Sequence, residues 1–168
     1  MPEREWSRGV KDSLYYMQDD GVFSEEEKDK EAMEIFRRCS NNAFQRVYFN
    51  CSCVAGAFRE ARDEPRLKPQ TVILQDIYSD EESKCINSVA IAGNSYETCL
   101  RFETNPFNGR SQEEIDEYCQ CVANKTAINF EDTPSLAIRR IERMKVNAMV
   151  SCKREQQNPL QDGFQSLF

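Results

Sequence analysis

The segments Tyr48–Phe58, YFNCSCVAGAF, and Glu117–Ala127, EYCQCVANKTA, contain the same motif: two cysteines separated by one residue and followed by Val-Ala. Each residue turns a helix by about 100°, so residues two apart point about 200° away from each other. Two such thiols cannot bridge each other, but they can reach a neighbouring helix on either side. The motif therefore predicts a helix that is tied to two others.

The other cysteines extend each motif into a duplicated unit. The eight cysteines fall into two sets of four with the same order of spacings: Cys39, Cys51, Cys53 and Cys85, then Cys99, Cys119, Cys121 and Cys152. The last cysteine follows the motif by 32 residues in the first set and by 31 in the second. We interpret the pattern as a C-x(n)-CxC-x(31–32)-C helical-hairpin unit that occurs twice.

A pairing scheme follows from antiparallel hairpins, in which residues at equal height are symmetric about the turn. The scheme pairs Cys39 with Cys51, Cys53 with Cys85, Cys99 with Cys119, and Cys121 with Cys152. Two of its centres fall in predicted turns, at Pro69 and Gly109. A third lies near Leu136, close to the helix start predicted at Thr133-Pro134. The fourth, at Gln45, requires the segment SNNAFQRV to be largely loop. Exchanging the cysteines within a motif (Cys51 with Cys53, Cys119 with Cys121) moves the centres by one residue, so these alternatives stay open.

Capping residues and apolar periodicity predict an all-α fold of about five helices in consecutive antiparallel hairpins stapled by disulfides. Their expected spans are 24–39, 47–62, 79–103, 111–128 and 133–152. Capping boxes begin the first, third and fourth helices at Ser24, Ser79 and Ser111. Thr133 with Pro134 is expected to begin the fifth. TVILQDIY, residues 71–78, is either a helical turn or an extended connector.

The expected domain organisation is one stapled helical domain between two irregular tails. The domain spans residues 24–154 and contains the two repeat units, about 24–90 and 91–154. The tails cover residues 1–23 and 155–168. A chain of 168 residues is long enough for one domain with a real core and does not require two.

Composition excludes several classes of function. The formal net charge of −7 disfavours a nucleic-acid partner, which normally requires a basic face. No apolar run approaches the roughly 18 residues of a membrane-spanning helix, so any membrane contact is expected to be peripheral. The absence of histidine removes the commonest general base and all His-ligated metal sites. We expect no catalytic residue and no enzyme activity.

The cysteines themselves admit three interpretations. An even number of cysteines favours disulfides in an oxidising compartment, and each closed loop is expected to contribute about 2–4 kcal/mol. A zinc or copper site would need converging thiolates, and zinc usually selects CxxC rather than CxC. A thiol-redox centre needs an exposed cysteine at a helix N-terminus or near cations. Because both motifs are expected in mid-helix, we predict structural disulfides and no metal or cofactor.

Two kinds of charged run are weaker candidates for a functional site. Carboxylates are abundant at residues 24–34 and 113–117, where their enrichment at helix starts is sufficient explanation. RRIERMK, residues 139–145, is a small basic strip that we interpret as a solvated helix face rather than a phosphate site.

The arrangement of cysteines from Cys39 to Cys152 resembles the coiled-coil-helix-coiled-coil-helix (CHCH) proteins of the mitochondrial intermembrane space. Those proteins are helical hairpins with paired disulfides, folded by oxidative trapping after import. Apolar residues beside the cysteines, including Val47, Tyr48 and Ile115, would suit the family's import signal. The spacings here are CX11CXC and CX19CXC, where the family has twin CX9C. The resemblance implies an architecture and a compartment rather than an activity.

These observations together predict a non-enzymatic accessory subunit of a large, membrane-associated complex, such as a mitochondrial respiratory assembly. Its partners are expected to be protein subunits, contacted partly through the tails. The intermembrane space is the favoured location, with the bacterial periplasm as the alternative. Two other functions stay open: a metal or thiol-redox carrier of the same compartment, and a periplasmic or secreted helical binding protein.

Overall fold

The computed structural model describes residues 23–63, 68–79, 85–104 and 109–157, which fold into helices and the connections between them. They form seven helices: α1 (Glu25–Asn41), α2 (Gln45–Tyr48), α3 (Cys51–Ala61), α4 (Gln70–Ser79), α5 (Ser88–Glu103), α6 (Gln112–Asp132) and α7 (Ile138–Gln157). The predicted all-α class is confirmed, with two more helices than the five expected.

The helices divide into two compact units, residues 1–80 and 81–168. Unit 1 contains α1–α4, and unit 2 contains α5–α7. The division falls earlier than the expected repeat boundary at 90/91, because α4 packs on α3 whereas α5 packs on α6. Each unit buries apolar side chains of its own, such as Ile35 and Phe58 in unit 1 and Ile115 and Val122 in unit 2.

Two predicted capping boxes are confirmed at the starts of α1 and α6. The Ser24 hydroxyl accepts from the Glu27 amide at 3.2 Å, and the Glu27 carboxylate accepts from the Ser24 amide at 2.9 Å. Ser111 and Glu114 form the same reciprocal pair, at 3.2 and 2.7 Å. These bonds satisfy amide donors that the first helical turn leaves without partners. The chain before α6 turns at Gly109, whose φ of +65° favours glycine.

The predicted helix over 47–62 is wrong in its first part. α2 ends at Tyr48, and Phe49 adopts extended backbone with φ −131° and ψ 146°. Asn50 then caps α3, because its side-chain oxygen accepts from the Cys53 amide at 3.2 Å. An asparagine that bonds to nearby backbone competes with helix continuation, so the chain stops and restarts here. Cys51 and Cys53 therefore lie in the first turn of a helix and not at its middle.

The segment TVILQDIY is helical, as the first of its two interpretations proposed, and forms most of α4. The capping box expected at Ser79 is not what begins the next helix. Ser79 is the last residue of α4, and its hydroxyl donates to the Gln75 carbonyl at 2.6 Å. α5 starts later, at Ser88, where the Asn87 side chain accepts from the Ala90 amide. Residues 80–84, the first part of the helix expected over 79–103, lie outside the described residues.

The expected start of the fifth helix at Thr133 is also wrong. α6 continues past Ile128 to Asp132, and Thr133 is its C-terminal cap residue. Pro134 lies in the connection, and α7 begins only at Ile138. A Thr-Pro pair serves a helix end as readily as a helix start, since proline is common just beyond a C-cap. α7 runs to Gln157, so residues 155–157 of the expected tail are helical. The rest of the two expected tails, residues 1–22 and 158–168, lies outside the described residues.

Neighbouring long helices in each unit are antiparallel. In unit 1 the disulfide Cys39–Cys51 lies near the turn between α1 and α3, and the ion pair Lys28–Asp63 lies at the far end. In unit 2, α5 pairs with α6, and α6 with α7, across short connections. Among the described helices, none is long and apolar enough to cross a membrane.

Candidate functional site: the cysteine pairs and their surroundings

All eight cysteines, the candidate site residues of the sequence, form disulfides. Cys39 is bonded to Cys51, Cys99 to Cys119, and Cys121 to Cys152, with Cα–Cα separations of 5.6, 5.5 and 5.9 Å. Such separations are ordinary for disulfides. Cys53 and Cys85 are disulfide-bonded as well, so none of the eight cysteines is a free thiol.

The motif in α6 is tied to a helix on either side, as the helical geometry requires. Cys119 bonds to Cys99 of α5, whereas Cys121 bonds to Cys152 of α7. Both lie near the middle of α6, so each disulfide holds the neighbouring helix away from its ends. The mid-helix position expected from the sequence is confirmed for this motif.

The α6 motif is also the centre of the unit 2 core. Cys99, Cys119 and Cys152 are at most 1% exposed, and they pack with the side chains Ile115, Tyr118, Val122 and Ala148. The Tyr118 hydroxyl donates to the Met149 carbonyl at 3.3 Å and so links α6 to α7 a second time. Burial is the first cause of a raised pKa for Tyr118, which keeps its hydroxyl protonated and able to donate.

The motif in α3 has a different environment. Cys51 is the first residue of α3 and Cys53 the third, and both side chains are half-buried. Amide groups at a helix N-terminus carry partial positive charge, which stabilises a thiolate. The reason given from the sequence against a redox centre, a mid-helix position, therefore fails for this motif. Asn50, as a strong N-cap residue inside the predicted helix, was the signal that could have revealed it.

Three potential metal ligands lie close together in unit 2, but two of them are cysteines that are bonded to each other. Sulfur atoms of Cys121 and Cys152 and a carboxylate oxygen of Glu155 lie within 4.8 Å of one another. The sulfurs are bonded together, so they do not act as thiolate ligands in this state. The Glu155 carboxylate lies 3.7 Å from the Cys121 sulfur. The hydrogen bond from Lys125 is the first cause of a lowered pKa for Glu155.

A groove of about 560 Å³ lies between α6 and α7 beside this disulfide. Its apolar floor includes Met144 and Ala148, and its polar wall includes Lys125 and Ser151. The Lys125 ammonium donates to the Ser151 hydroxyl at 3.0 Å and also pairs with Glu155. Because a carboxylate holds the ammonium, this cluster is an ion pair with a hydroxyl partner rather than an activated nucleophile. Sequence reasoning did not find it, since the three residues meet only through the register of two helices.

An ionic network joins α1 to α3 in unit 1. Arg62 is 6% exposed, pairs with Glu31 at 2.7 Å, donates to the Lys68 carbonyl at 2.6 Å, and lies over the Phe58 ring. Arg59 pairs with Glu25 and Asp29 at 2.6 and 2.5 Å. The acidic run at 24–34, interpreted from the sequence as enrichment at a helix start, thus also supplies partners for cations of α3.

The same network changes the pKa values of its charged side chains. Hydrogen bonds from Lys28 are the first cause of lowered pKa values for Glu25 and Asp63. The Asp63 and Glu25 bonds in turn raise the pKa of Lys28, whose side chain is buried beneath them. Ionised forms are therefore favoured on both sides of the α1–α3 interface.

No protein family, curated protein or solved structure matches this chain, so its function is inferred from its own chemistry.

Proposed function

We propose that this chain is a non-enzymatic, disulfide-stapled scaffold that serves as an accessory subunit of a larger protein assembly. The supporting observation is the use of its cysteines: all eight are bonded, and the three described pairs tie α1 to α3, α5 to α6 and α6 to α7. Residues that would otherwise supply reactivity instead hold helices in fixed register. A rigid helical body of this kind suits a role in binding rather than in turnover.

The disulfides indicate an oxidising or extracellular compartment. Within that class we propose the mitochondrial intermembrane space and a respiratory or similar membrane-associated assembly. The support is the resemblance of the stapled hairpins to CHCH proteins, together with cysteines flanked by apolar residues such as Val47 and Ile115. The bacterial periplasm is the alternative location, and it would leave the scaffold role unchanged.

The native mass of the particle that contains this chain tests the proposal. The chain alone weighs 19.5 kDa. We expect it to migrate in native gels with a particle many times that mass, and to yield no free thiol and no bound zinc or copper. Migration of native material as a 19.5 kDa monomer would refute the subunit role and favour a free-standing binding protein.

A thiol-redox carrier is the second candidate, because Cys51 and Cys53 lie half-buried at the start of α3. A carrier must remain folded in both redox states, whereas a staple is needed for the fold. Residue-resolved hydrogen exchange after limited reduction that opens Cys39–Cys51 separates the two functions. Loss of helix in α1 and α3 supports the scaffold, and full retention with reversible reoxidation supports the carrier.

A further inference from the structure

The outward side of α7 carries a seam of exposed side chains that the core does not use. α7 already buries its apolar side, including Ile141, Met144 and Cys152, inside unit 2. The seam on the opposite side has spacings of four and three residues in alternation: Arg139, Arg143, Val146, Val150, Lys153 and Gln157. Positions that repeat every 3.5 residues stay on one face of a helix, so these six side chains lie along one line on the surface of α7.

The two valines at the centre of the seam are exposed to solvent. Val146 is 55% exposed and Val150 is 45% exposed, and they lie four residues apart on one face. Two isolated valines would need no explanation. Here they form the apolar middle of a seam about 27 Å long, from Arg139 to Gln157 at 1.5 Å per residue, and Arg154 lies beside it.

Cations flank the valines at both ends. Arg139, Arg143, Lys153 and Arg154 are all exposed. Within the described part of the chain, none of these four forms an ion pair, although cations of similar exposure elsewhere do, such as Arg38 with Glu34. Arg139 and Arg143 repel each other at four-residue spacing. The seam is thus a concentration of unneutralised positive charge on a chain whose net charge is −7.

We propose that this basic seam binds an acidic amphipathic helix of a partner protein, and the proposal deepens the accessory-subunit function on which it rests. Charge complementarity selects the partner: carboxylates opposite the flanking cations and two apolar residues opposite Val146 and Val150. A lipid surface fits less well, because the apolar side of α7 that would insert is already buried and the seam lacks Trp, Phe and Leu. A polyanionic nucleic acid would be repelled by the rest of the chain.

A designed peptide tests the seam directly on the purified, oxidised full-length chain. The probe is a helical peptide of about 20 residues with two central leucines four residues apart and glutamates at the other seam positions. Binding is followed by fluorescence anisotropy at low salt. The R139E/R143E variant should weaken binding by about tenfold or more, and V146S/V150S should weaken it while keeping the charges. A peptide with lysines in place of the glutamates should not bind.

The matched control is K30E/R37E, which makes the same charge change on exposed residues of α1. We expect the control to bind the peptide as the wild type does. Equal binding by wild type, R139E/R143E and V146S/V150S would overturn the seam. Failure of the acidic peptide to bind would also overturn it, as would tighter binding to phosphatidylserine vesicles or a seam-dependent dimer in sedimentation.

The same variants placed in the native source separate this inference from the proposed function. If the wild-type chain migrates with a large particle and R139E/R143E does not, while K30E/R37E does, the seam is the attachment surface. If all three migrate with the particle, the accessory role stands and the seam is refuted. If the wild-type chain migrates alone, the accessory role itself fails, whatever the peptide shows.

Discussion

The two units contain the same cysteine motif in opposite settings. In unit 2, Cys119 and Cys121 lie in the middle of α6, and the disulfide Cys99–Cys119 is part of the apolar core. In unit 1, Cys51 opens α3, its side chain is half-buried, and an ionic network holds the other end of the α1–α3 pair. A repeated spacing therefore does not imply a repeated environment. The context of each cysteine decides how much its disulfide stabilises and how readily it is reduced.

The largest loss of stability is expected when the core disulfide of unit 2, Cys99–Cys119, is removed. Loop-closure entropy alone gives about 3.3 kcal/mol for a 20-residue separation and about 2.8 kcal/mol for the 12-residue separation of Cys39–Cys51. That difference is small. C99A/C119A removes two buried sulfurs, whereas C39A/C51A removes one buried sulfur, that of Cys39, and one half-buried sulfur, that of Cys51. The cavity left by C99A/C119A is therefore the larger, and we expect a cost of about 4–5 kcal/mol, against about 3–4 kcal/mol for C39A/C51A.

Hydrogen exchange resolved by residue measures the stability of each unit separately. A single unfolding midpoint for the whole chain does not. The loss of protection should be confined to the unit that carries the substitution. Equal losses in the two double variants would mean that burial does not distinguish the disulfides.

The next effect tests the ionic end of unit 1. R62A removes a buried cation from Glu31, from the Lys68 carbonyl and from the Phe58 ring, and should destabilise unit 1 by about 2–4 kcal/mol. R59A is the matched control: it removes an arginine from the same helix whose side chain is 37% exposed, so its effect should be much smaller. Urea unfolding followed by hydrogen exchange compares them. Equal effects would contradict the burial argument.

Acid should affect unit 1 more than unit 2. Glu25, Glu27 and Asp63 have lowered pKa values in unit 1, so the unfolded chain binds protons more readily than the folded one. Their stabilisation is present above the ordinary carboxyl pKa of about 4 and is lost as pH falls below it through the lower folded values. Unit 2 has lowered values at Glu114 and Glu155 and relies more on its apolar core.

Exchange rates across this pH range, corrected for intrinsic chemistry, provide the measurement. Amides of α1 and α3 should lose protection before those of α6 and α7. High salt should reduce the difference, because it screens the exposed pairs. The reverse order would show that the network contributes little.

The smallest expected effect concerns a polar group inside unit 2. Ser95 is 3% exposed, and its hydroxyl has no hydrogen-bond partner among the described residues. S95A removes an unsatisfied buried group, so it should leave stability unchanged or raise it by up to about 1 kcal/mol. Hydrogen exchange of the α5 and α6 amides measures this change in the stability of unit 2. A clear loss of stability would indicate that the hydroxyl has a partner after all.

Sequence reasoning found what depends on short-range chemistry. Ser24 and Ser111 identified helix starts because the reciprocal bonds of a capping box need only residues three apart. Asn50 was missed because its capping competes with helix formation inside an otherwise helical pattern. Thr133 was assigned to the start of a helix although it ends one, since its residue type serves either role in the absence of tertiary contacts.

The sequence predicts the surroundings of these residues less well than it predicts the disulfide pairs. The pairing scheme needed only symmetry about Gly109 and similar turns, which spacing provides. The cluster of Lys125, Ser151 and Glu155 needed the relative rotation of α6 and α7, which spacing does not provide. The same holds for Arg62, whose burial depends on how α1 and α3 cross.

Stepwise reduction with mapping of the released thiols tests the central claim most directly. In native protein, alkylation should find no free cysteine, and peptide mapping should recover Cys39–Cys51, Cys99–Cys119 and Cys121–Cys152. Under limiting reductant, Cys39–Cys51 should open about tenfold or more faster than Cys99–Cys119. The half-buried sulfur of Cys51, at a helix N-terminus, is open to attack although Cys39 is buried, whereas Cys99 and Cys119 are both buried. Earlier release of Cys99 and Cys119, or free thiols in the native chain, would contradict the account.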